Sequence, residues 1–343
     1  MEFLDKLYKD DFEAIKHIVL LYPTIFTLSI DSIKDSLKAM KDFGLNNTQL
    51  LFVYKRAPSA FRNKNYILKR INGIRETKIQ LDEENEIRMN FTKNELKTII
   101  SRYPRALTDS VELLNQKLTS LYNLGFDANM VKKMVLMSPP LLSLSKQRYA
   151  KQLENYESFG YSKEDALKVL GHMPTLFNLT KGKIKDRLDN MEKYGYPRET
   201  CRNMTVSHSS LLNLTKSLLN SKLKALEKLG FSKDEIIYIT SIAPNLITSS
   251  TEMTKDKIEY LREIGLGELL KRKPTILVTG VATVYARYEF FKHHEPPIEI
   301  SEKHHSYLFI DWKRFEKRFG ITKEELLKQY SFEEYKEKHK KER

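Results

Sequence analysis

The chain repeats one short phrase at a fixed interval. SPPLLSLSKQRY, MPTLFNLTKGKI and HSSLLNLTKSLL begin at residues 138, 173 and 208, each 35 residues after the one before. A fixed period over one chain is typical of stacked repeat proteins, in which each unit buries its apolar face only against its neighbours. This spacing constrains the fold most strongly, since it favours one extended array over a domain with a single core.

Each unit begins with an anchor, usually a proline, followed by apolar residues and then by serine or threonine. The clear anchors are Pro23, Pro104, Pro139, Pro174, Ser209 and Pro244, and the weaker ones are Pro58 and Pro274. A glycine follows each clear anchor by 21 residues, at Gly44, Gly125, Gly160, Gly195, Gly230 and Gly265. In the second repeat, which is 11 residues longer than the others, Asn90 takes the place of the glycine.

The pattern inside each unit predicts two helices. A hydroxyl residue six positions after the anchor can cap the first helix, and apolar residues such as Ile184, Leu188 and Met191 then form one helical face. The glycine ends that helix, because the position after a helix often needs a positive φ. Capping pairs then introduce a second helix, at Asn46/Gln49, Thr92/Glu95, Ser162/Asp165 and Ser232/Glu235. The proline of the next anchor stops it.

Composition indicates the class of partner. The formal net charge is +14, and this self-repulsion favours a polyanion such as nucleic acid, although a lysine-rich surface can also serve solubility alone. No apolar run approaches the roughly 20 residues that span a bilayer, and the N-terminus lacks the pattern of a signal or transit peptide. Cys201 is the only cysteine, so a reducing compartment is expected. As written, the sequence predicts a cytoplasmic protein.

The pattern P-x-L-[LF]-x-[LS]-[ST], a first helix ending L-x-x-[LM]-x-x-[LYFI]-G-[FY], and a second helix introduced by S-x-x-[ED] resemble the mitochondrial transcription termination factor (mTERF) family. The resemblance covers residues 12–280, and VYARYEFF at 284–291 is similar to the segment that closes the array in that family. It implies a curved superhelix of two α-helices and a 3₁₀ turn per repeat, whose positive concave face binds double-stranded DNA or structured RNA. Family roles include transcription termination, control of initiation and ribosome assembly. A mature, processed member would lie in the mitochondrial matrix.

Basic residues recur 13 positions after the anchor. They are Lys117, Arg187, Lys222 and Lys257, while two other copies have Ser36 and Gln152. The position borders the apolar stripe, where a long stem can pack while its charged head reaches solvent. Stacked repeats would therefore align the charged groups in a row that can bind phosphate, which we call the ladder. Arg148 and Lys183 would add cations one helical turn earlier, and Arg287 would extend the row.

A second basic row lies just inside the helix starts, at Lys146, Lys181 and Lys216. Cations there oppose the helix dipole, which suggests another use. Either row could equally be a solvated helix face.

The C-terminal stretch WKRFEKRF mixes aromatic and basic residues. Lys313, Arg314, Lys317 and Arg318 could hold phosphate while the aromatics stack on bases, or the segment could be a helix that caps the last repeat.

The acidic segment 76–90 would repel phosphate, so it is expected on an outer surface or at an edge. His293, His294, His304 and His305 favour a polar loop over a metal site. No phosphate-binding glycine loop or catalytic set is found, so the sequence predicts no metal, no cofactor and no enzymatic activity.

These observations predict an all-α fold, a right-angled stack of helix-turn-helix repeats that forms a curved superhelical solenoid. The seven or eight repeats, of roughly 35 residues each, would occupy residues 1–280, with a C-terminal helical cap and basic tail at 281–343. The predicted function is non-catalytic binding of double-stranded DNA or structured RNA by a monomer, in the regulation of transcription or in ribosome assembly, alongside proteins of those processes. The alternative is a protein-binding α-solenoid, which an apolar groove with scattered charge would favour.

Overall fold

The computed structural model describes residues 7–8, 11–300 and 305–341. The chain divides into two compact units, Met1–Lys185 and Asp186–Arg343. The helices of the first unit are α1 (Phe12–Leu21), α2 (Ile30–Phe43), α3 (Asn47–Arg56), α4 (Lys64–Arg75), α5 (Lys93–Arg102), α6 (Val111–Leu124), α7 (Ala128–Met137), α8 (Lys146–Glu157) and α9 (Lys163–His172). Helix α10 (Lys181–Tyr194) contains the boundary between the units.

The second unit continues the same alternation of helices. They are α11 (Arg198–Ser207), α12 (Lys216–Lys228), α13 (Lys233–Ile242), α14 (Asn245–Thr248), α15 (Thr251–Glu263), α16 (Leu269–Arg272), α17 (Val281–Lys292), α18 (Trp312–Phe319), α19 (Lys323–Gln329) and α20 (Phe332–Lys341). The predicted all-α repeat fold is confirmed. None of the described helices is both long and apolar enough to cross a membrane.

A 3₁₀ turn follows almost every anchor. These turns are Pro23–Thr27, Pro58–Ala60, Pro104–Leu107, Pro139–Ser143, Pro174–Asn178, Ser209–Asn213 and Pro274–Val278. The anchor at Pro244 leads instead into the short helix α14. Ser209 supports the same turn as the prolines, so the missing ring leaves the local conformation unchanged.

Side-chain caps fix the helix starts where the sequence predicts them. In the first helix of each clear repeat the hydroxyl accepts a hydrogen bond from the amide three residues later, as in Ser110 Oγ and Leu113 N at 3.0 Å. The others are Ser29, Ser145, Thr180, Thr215 and Ser250. Complete capping boxes form at Asn46/Gln49, Thr92/Glu95 and Ser232/Glu235.

The six repeat glycines all have a positive φ, from +76° at Gly265 to +128° at Gly195. Gly195 has a second constraint, because a Cβ there would lie 2.9 Å from Cδ1 of Ile237 on α13. Asn90 has a φ of +47°, as its place in the pattern predicts. It follows a strand, however, and does not end a helix.

That strand belongs to a hairpin that the sequence analysis missed. Strands β1 (Lys78–Gln80) and β2 (Glu86–Arg88) pair antiparallel, with Ile79 opposite Ile87. The outer edge of β1 is bound by α6, since Lys78 N donates to Asn115 Oδ1 at 2.9 Å and Gln80 N donates to Thr119 Oγ1 at 3.0 Å. The 11 additional residues of the second repeat therefore form a hairpin docked on the following repeat.

Each repeat buries a narrow apolar stripe between its two helices. In the repeat of α6 and α7, Leu114 and Leu118 of the first helix and Val131 and Met134 of the second are at most 1% exposed. Leu141, from the next 3₁₀ turn, is also buried. Because the anchor turn supplies core residues, its position relative to the preceding first helix has to be fixed.

Candidate nucleic-acid interface

The predicted basic ladder occupies one structural position, seven residues after the N-cap of each first helix. Lys117 Nζ donates to the carbonyl oxygen of Leu144 at 2.9 Å, and Lys222 Nζ donates to that of Ser249 at 2.5 Å. Lys257 Nζ donates to the carbonyl oxygen of Leu277. In each case the acceptor lies in or just after the anchor turn of the next repeat. These side chains therefore tie one repeat to the next.

Other residue types make the same bond. Gln152 Nε2 donates to the carbonyl oxygens of Leu176 and Leu179, at 2.7 and 3.0 Å. Arg70 Nε donates to the carbonyl oxygen of Leu107 at 2.6 Å. We call this arrangement the inter-repeat tie; its donors are Arg70, Lys117, Gln152, Lys222, Lys257 and Arg287. Ser36, at the same position, bonds only within its own helix, to the carbonyl of Ser32.

Arg287 makes a fully buried tie, as Gln152 does. Its side chain is fully buried, and Nη1 donates to the carbonyl oxygens of Leu308 and Ile310 at 3.1 and 2.8 Å. The guanidinium stacks on the rings of Trp312 and Phe315, with its Cζ 4.2 and 4.3 Å from the ring centroids. Burial lowers the pKa of Arg287 to about 10. The carbonyls at Nη1 and the aromatic faces offset part of the cost of the buried charge, while Nε and Nη2 have no hydrogen-bond partner among the described residues.

The expected geometry of the ladder is therefore corrected. Lys257 is 8% exposed and Arg287 is fully buried, so their charged groups do not reach a phosphate backbone. Lys117 and Lys222 are half-buried, with their ammonium groups on carbonyls. Arg187 is half-buried as well, and its Nε is buried with no hydrogen-bond partner in the described part of the chain. A long stem beside an apolar stripe can turn its head inward as well as outward, and here backbone carbonyls draw it inward.

Exposed basic residues lie instead at the helix starts of the first unit. Lys146, Lys181 and Lys183 are exposed and Arg148 is half-buried; these four residues are called the helix-start patch. None of them forms an ion pair with a carboxylate of the residues that the structure describes. Lys146 and Lys181 are the first residues of α8 and α10, where a cation opposes the positive end of the helix dipole. Their charges are therefore neither neutralised by a carboxylate nor favoured by the helix.

The inter-repeat tie links the two helices that carry the patch. Arg148 lies four residues before Gln152, on the same face of α8. Gln152 in turn binds the carbonyl of Leu179, two residues before Lys181. The bond therefore ties the segment just before α10 to the middle of α8.

The same arrangement one repeat earlier forms a groove. Its volume is about 510 Å³, and Leu113, Gln116, Lys117, Ser145 and Lys146 contribute to its walls. Gln80 of the hairpin and the hairpin-binding residues Asn115 and Thr119 also line it. This part of the first unit therefore combines amides and hydroxyls, which can bond bases or sugars, with the exposed ammonium group of Lys146, which can bind phosphate.

The basic residues of α18 also face solvent. Lys313, Arg314, Lys317 and Arg318 are all exposed. Arg314 Nε lies 3.2 Å from Asp311 Oδ2, and Arg318 Nη2 donates to the hydroxyl of Tyr307 at 2.9 Å. Lys313 and Lys317 form no ion pair within residues 305–341. They are the two cations of this helix that are best placed to meet a phosphate.

The aromatic residues of the same helix are used in packing. Phe315 is fully buried, and its ring centroid lies 6.0 and 5.9 Å from those of Phe290 and Phe291 on α17. Trp312 covers the guanidinium of Arg287. These rings hold α18 on α17, which supports the capping interpretation of the segment and leaves little ring surface for base stacking.

The remaining candidates for chemistry are either buried or dispersed. Cys201 is fully buried, and burial raises the pKa of its thiol to about 12. His293 and His294 bond backbone carbonyls of neighbouring residues, and His305 is buried next to Lys273. His304 lies outside the described residues. Within the described ranges, no group of three or more histidine, cysteine or acidic side chains could hold a metal.

Counting 13 residues from the anchors finds five of the six tie donors, including Arg287 after Pro274, but it misses Arg70, which is 12 residues after Pro58. Counted from the N-cap instead, Asn63 and Arg70 have the same seven-residue spacing as Ser110 and Lys117. Gly280 precedes Arg287 by the same interval. Arg70 could have been recognised as an equivalent position from that count. The polarity of Gln152, which forms the same bond without a charge, was the available signal that this position meets backbone.

Comparison with protein families gives a match over most of the chain. A family model described as mTERF matches residues 2–123, 112–225 and 147–265, in overlapping segments that together extend from residue 2 to residue 265. No curated protein matches the chain.

Proposed function

Because the chain belongs to the mTERF family, we propose that it is a non-catalytic protein that binds double-stranded DNA or structured RNA. Proteins of this family bind nucleic acids, with roles in transcription and in the ribosome. The observation that carries the proposal for this chain is the helix-start patch. Its members are Lys146, Arg148, Lys181 and Lys183, at the starts of two helices that the Gln152 tie links, and they have no carboxylate partners in the described residues.

Phosphate neutralisation supplies the affinity in this mechanism. Each cation that contacts a phosphate releases condensed counterions, so affinity falls steeply as the salt concentration rises. The net charge of +14 draws nucleic acid to the protein over a longer range. The exposed Lys216 of α12 and Lys313 and Lys317 of α18 are the further proposed contacts in the second unit.

The ties serve this interface indirectly. They tie the segments just before α6, α8, α10, α15, α17 and α18 to the preceding first helix, and the first turns of α8 and α10 carry the basic patch. We therefore assign Lys117, Lys222, Lys257 and Arg287 to positioning of the repeats, and the exposed helix-start residues to contact with phosphate.

The test compares two triple variants that remove the same charge. The patch variant removes three of the four basic residues of the patch, by Lys146→Ala, Lys181→Ala and Lys183→Ala. The control variant removes three exposed lysines elsewhere in the first unit, by Lys38→Ala, Lys133→Ala and Lys163→Ala. Lys163 is also the first residue of a helix, so the control variant, like the patch variant, removes a cation that opposes a helix dipole. Binding to mixed-sequence DNA duplex and to an RNA hairpin is measured between about 50 and 200 mM salt.

The patch variant is expected to lower the salt slope by about one unit per lysine, and the control to leave it nearly unchanged. Equal losses in the two variants would show that net charge alone attracts the nucleic acid. A response of the intact protein that is flat with salt would instead favour the protein-binding solenoid.

We further propose that the nucleic-acid target lies in transcription or in ribosome assembly. Crosslinking in cells followed by sequencing of the bound nucleic acid separates these processes, because promoter or terminator DNA and ribosomal RNA are distinct products. Fractionation before crosslinking distinguishes the cytoplasm from the mitochondrial matrix. Recovery of no nucleic acid above that of the patch variant would contradict the proposal.

A further inference from the structure

The C-terminal part of the second unit contains a pocket lined by tyrosines. Its volume is about 520 Å³, and Tyr260, Tyr285, Tyr288, Tyr330 and Tyr335 line it. We call it the tyrosine pocket. Tyr260 belongs to α15, Tyr285 and Tyr288 belong to α17, and Tyr335 belongs to α20, so three helices converge there. None of these residues belongs to the proposed nucleic-acid interface.

Tyr260 carries an unsatisfied polar group at this site. Its side chain is 4% exposed, and its hydroxyl is buried without a hydrogen-bond partner among the described residues. The rings of Tyr285 and Tyr335 surround it, with centroids 5.6 Å from its own. A buried hydroxyl without a partner costs about 1–3 kcal/mol. A polar ligand in the pocket would remove that cost.

Three carboxylates, those of Glu263, Glu289 and Glu334, line the pocket together with Lys292, Lys338 and His339, so acidic groups outnumber lysines here in a strongly basic chain. Glu263 accepts a hydrogen bond from the hydroxyl of Tyr335 at 2.5 Å. The side chain of Glu289 is 17% exposed, and its nearest described cations are Lys292 Nζ at 3.7 Å and His293 Nδ1 at 3.9 Å. Both distances are too long for a hydrogen bond. The half-buried Glu289 carboxylate therefore keeps most of its capacity to accept hydrogen bonds.

The negative charge of Glu289 disfavours ionisation of the nearby tyrosine hydroxyls. Burial and, after it, the charges of Glu289 and the neighbouring tyrosines raise the pKa of Tyr260. Burial and Glu289 raise the pKa of Tyr330 as well. Lys292 also lines the pocket, but its side chain is 63% exposed whereas that of Glu289 is 17% exposed, so solvent screens the charge of the lysine more strongly.

We propose that the tyrosine pocket binds the guanidinium group of an arginine side chain presented by a protein partner. The three carboxylates would repel phosphate, which disfavours a nucleotide. An apolar ligand would leave both Glu289 and the Tyr260 hydroxyl without partners. A guanidinium group can bond a carboxylate and a hydroxyl together and can pack against aromatic rings. This inference goes beyond the proposed function and does not depend on it.

The chemistry of the site favours arginine over lysine. A planar guanidinium presents five donors, so it can bond acceptors in several directions at once, and it sheds water more readily than an ammonium group does. The five tyrosines offer aromatic surface to a flat cation. We expect a lysine side chain to bind the same groups more weakly.

The first experiment uses the full chain and two probes of the same shape. N-acetyl-arginine methylamide is titrated against N-acetyl-citrulline methylamide, which replaces the guanidinium with a neutral urea, and binding is followed by NMR or calorimetry. The arginine probe is expected to bind at least about tenfold more tightly, since it alone makes charge-assisted hydrogen bonds. Equal binding of the two probes, or no binding of either, overturns the proposal.

Variants then locate the site. Glu289→Gln keeps the shape of the side chain and should weaken the arginine probe about tenfold or more. Tyr260→Phe should weaken it about threefold while raising the thermal midpoint of the free protein, because it deletes an unpaired buried hydroxyl. Glu259→Gln, on the exposed face of α15, is the matched control and should leave binding unchanged.

Nucleic-acid binding is measured on the same variants and is expected to stay at the level of the unmodified chain. Unchanged probe binding in Glu289→Gln would overturn the proposed site. If that variant does not fold, the comparison of arginine with citrulline on the unmodified chain decides the proposal by itself.

Discussion

Lys222 Nζ donates a hydrogen bond to the carbonyl oxygen of Ser249, 27 residues further along the chain. Lys117 and Leu144 are joined in the same way across the same interval. The donor is always seven residues past a helix cap, and in these pairs the acceptor lies just before the next cap. The bond therefore fixes the distance between corresponding points of neighbouring repeats, which is the quantity that a stacked array has to hold constant.

The first prediction follows from that bond. Lys222→Met keeps the apolar stem but removes the donor, so the carbonyl of Ser249 loses its partner. A hydrogen bond from a charged group contributes about 1.5–3 kcal/mol, and we expect the free energy of unfolding to fall by about that amount. Urea denaturation followed by circular dichroism measures the loss.

The matched control is Lys224→Met, two residues away on α12 and exposed. It should change the free energy of unfolding by no more than about 0.5 kcal/mol. If Lys222→Met were equally neutral and weakened only the binding of nucleic acid, Lys222 would be a phosphate contact and the assignment of the tie would be wrong.

The second prediction concerns the glycine that ends each first helix. Gly195→Ala forces a side chain onto a residue with a φ of +128° and places its Cβ 2.9 Å from Ile237. We expect a loss of at least about 1–2 kcal/mol in the free energy of unfolding, since left-handed backbone is unfavourable for alanine. Thermal and urea denaturation both report it.

Gly182→Ala is the opposite case and serves as the control. Gly182 lies within α10, and a Cβ there meets nothing within 4 Å. Because alanine is the better helix former, this change should raise the free energy of unfolding by up to about 1 kcal/mol. Equal effects at the two glycines would contradict the role given to the positive φ.

The sequence predicts the fold well because each repeat contains residues that mark where its own helices begin and end. The hydroxyl caps, the glycine and the proline act over a few residues, so their consequences can be deduced from local chemistry and all of them are found in the structure. Repetition then fixes the architecture, because a unit with one apolar stripe can bury it only against its neighbours.

The direction of a long side chain is harder to predict. Lys117 and Lys146 are both lysines near the start of a first helix, yet Lys117 turns to a carbonyl of the next repeat and Lys146 faces solvent. The difference depends on where the next anchor turn lies, which is a tertiary contact that spacing along one helix does not contain. The hairpin was missed for a similar reason, since its three-residue strands are stabilised by Asn115 and Thr119 of another helix.

The third prediction tests how the hairpin is held. Asn115→Ala removes the acceptor of the Lys78 amide, so the edge of β1 loses half of its bonds to α6. We expect faster hydrogen exchange at the amide of Lys78 and faster proteolysis at residues 81–85. Asn123→Ala, at an exposed position of the same helix, should change neither. Unaltered exchange in Asn115→Ala would show that the buried Ile79 holds the hairpin without this bond.

The last prediction is a pH dependence that Lys257 gives to stability. Burial lowers the pKa of its ammonium group from 10.5 to about 8, whereas the unfolded chain keeps the ordinary value. Below pH 8 the lysine is protonated in both states, and the folded state bears the full cost of the buried charge. Between pH 8 and 10.5 the unfolded state binds more protons, so the free energy of unfolding rises with pH. The rise should be on the order of 3 kcal/mol, at about 1.36 kcal/mol per pKa unit.

Lys257→Met isolates this contribution, because all other titrating groups are common to the two proteins and cancel in the difference. Urea denaturation of both proteins across pH 8 to 10.5 should show the unmodified chain gaining stability relative to the variant as the pH rises. A difference that stays constant with pH would mean that the carbonyl of Leu277 stabilises the ammonium group enough to offset its burial. Lys257 would then remain a charged tie throughout, like the more exposed Lys222.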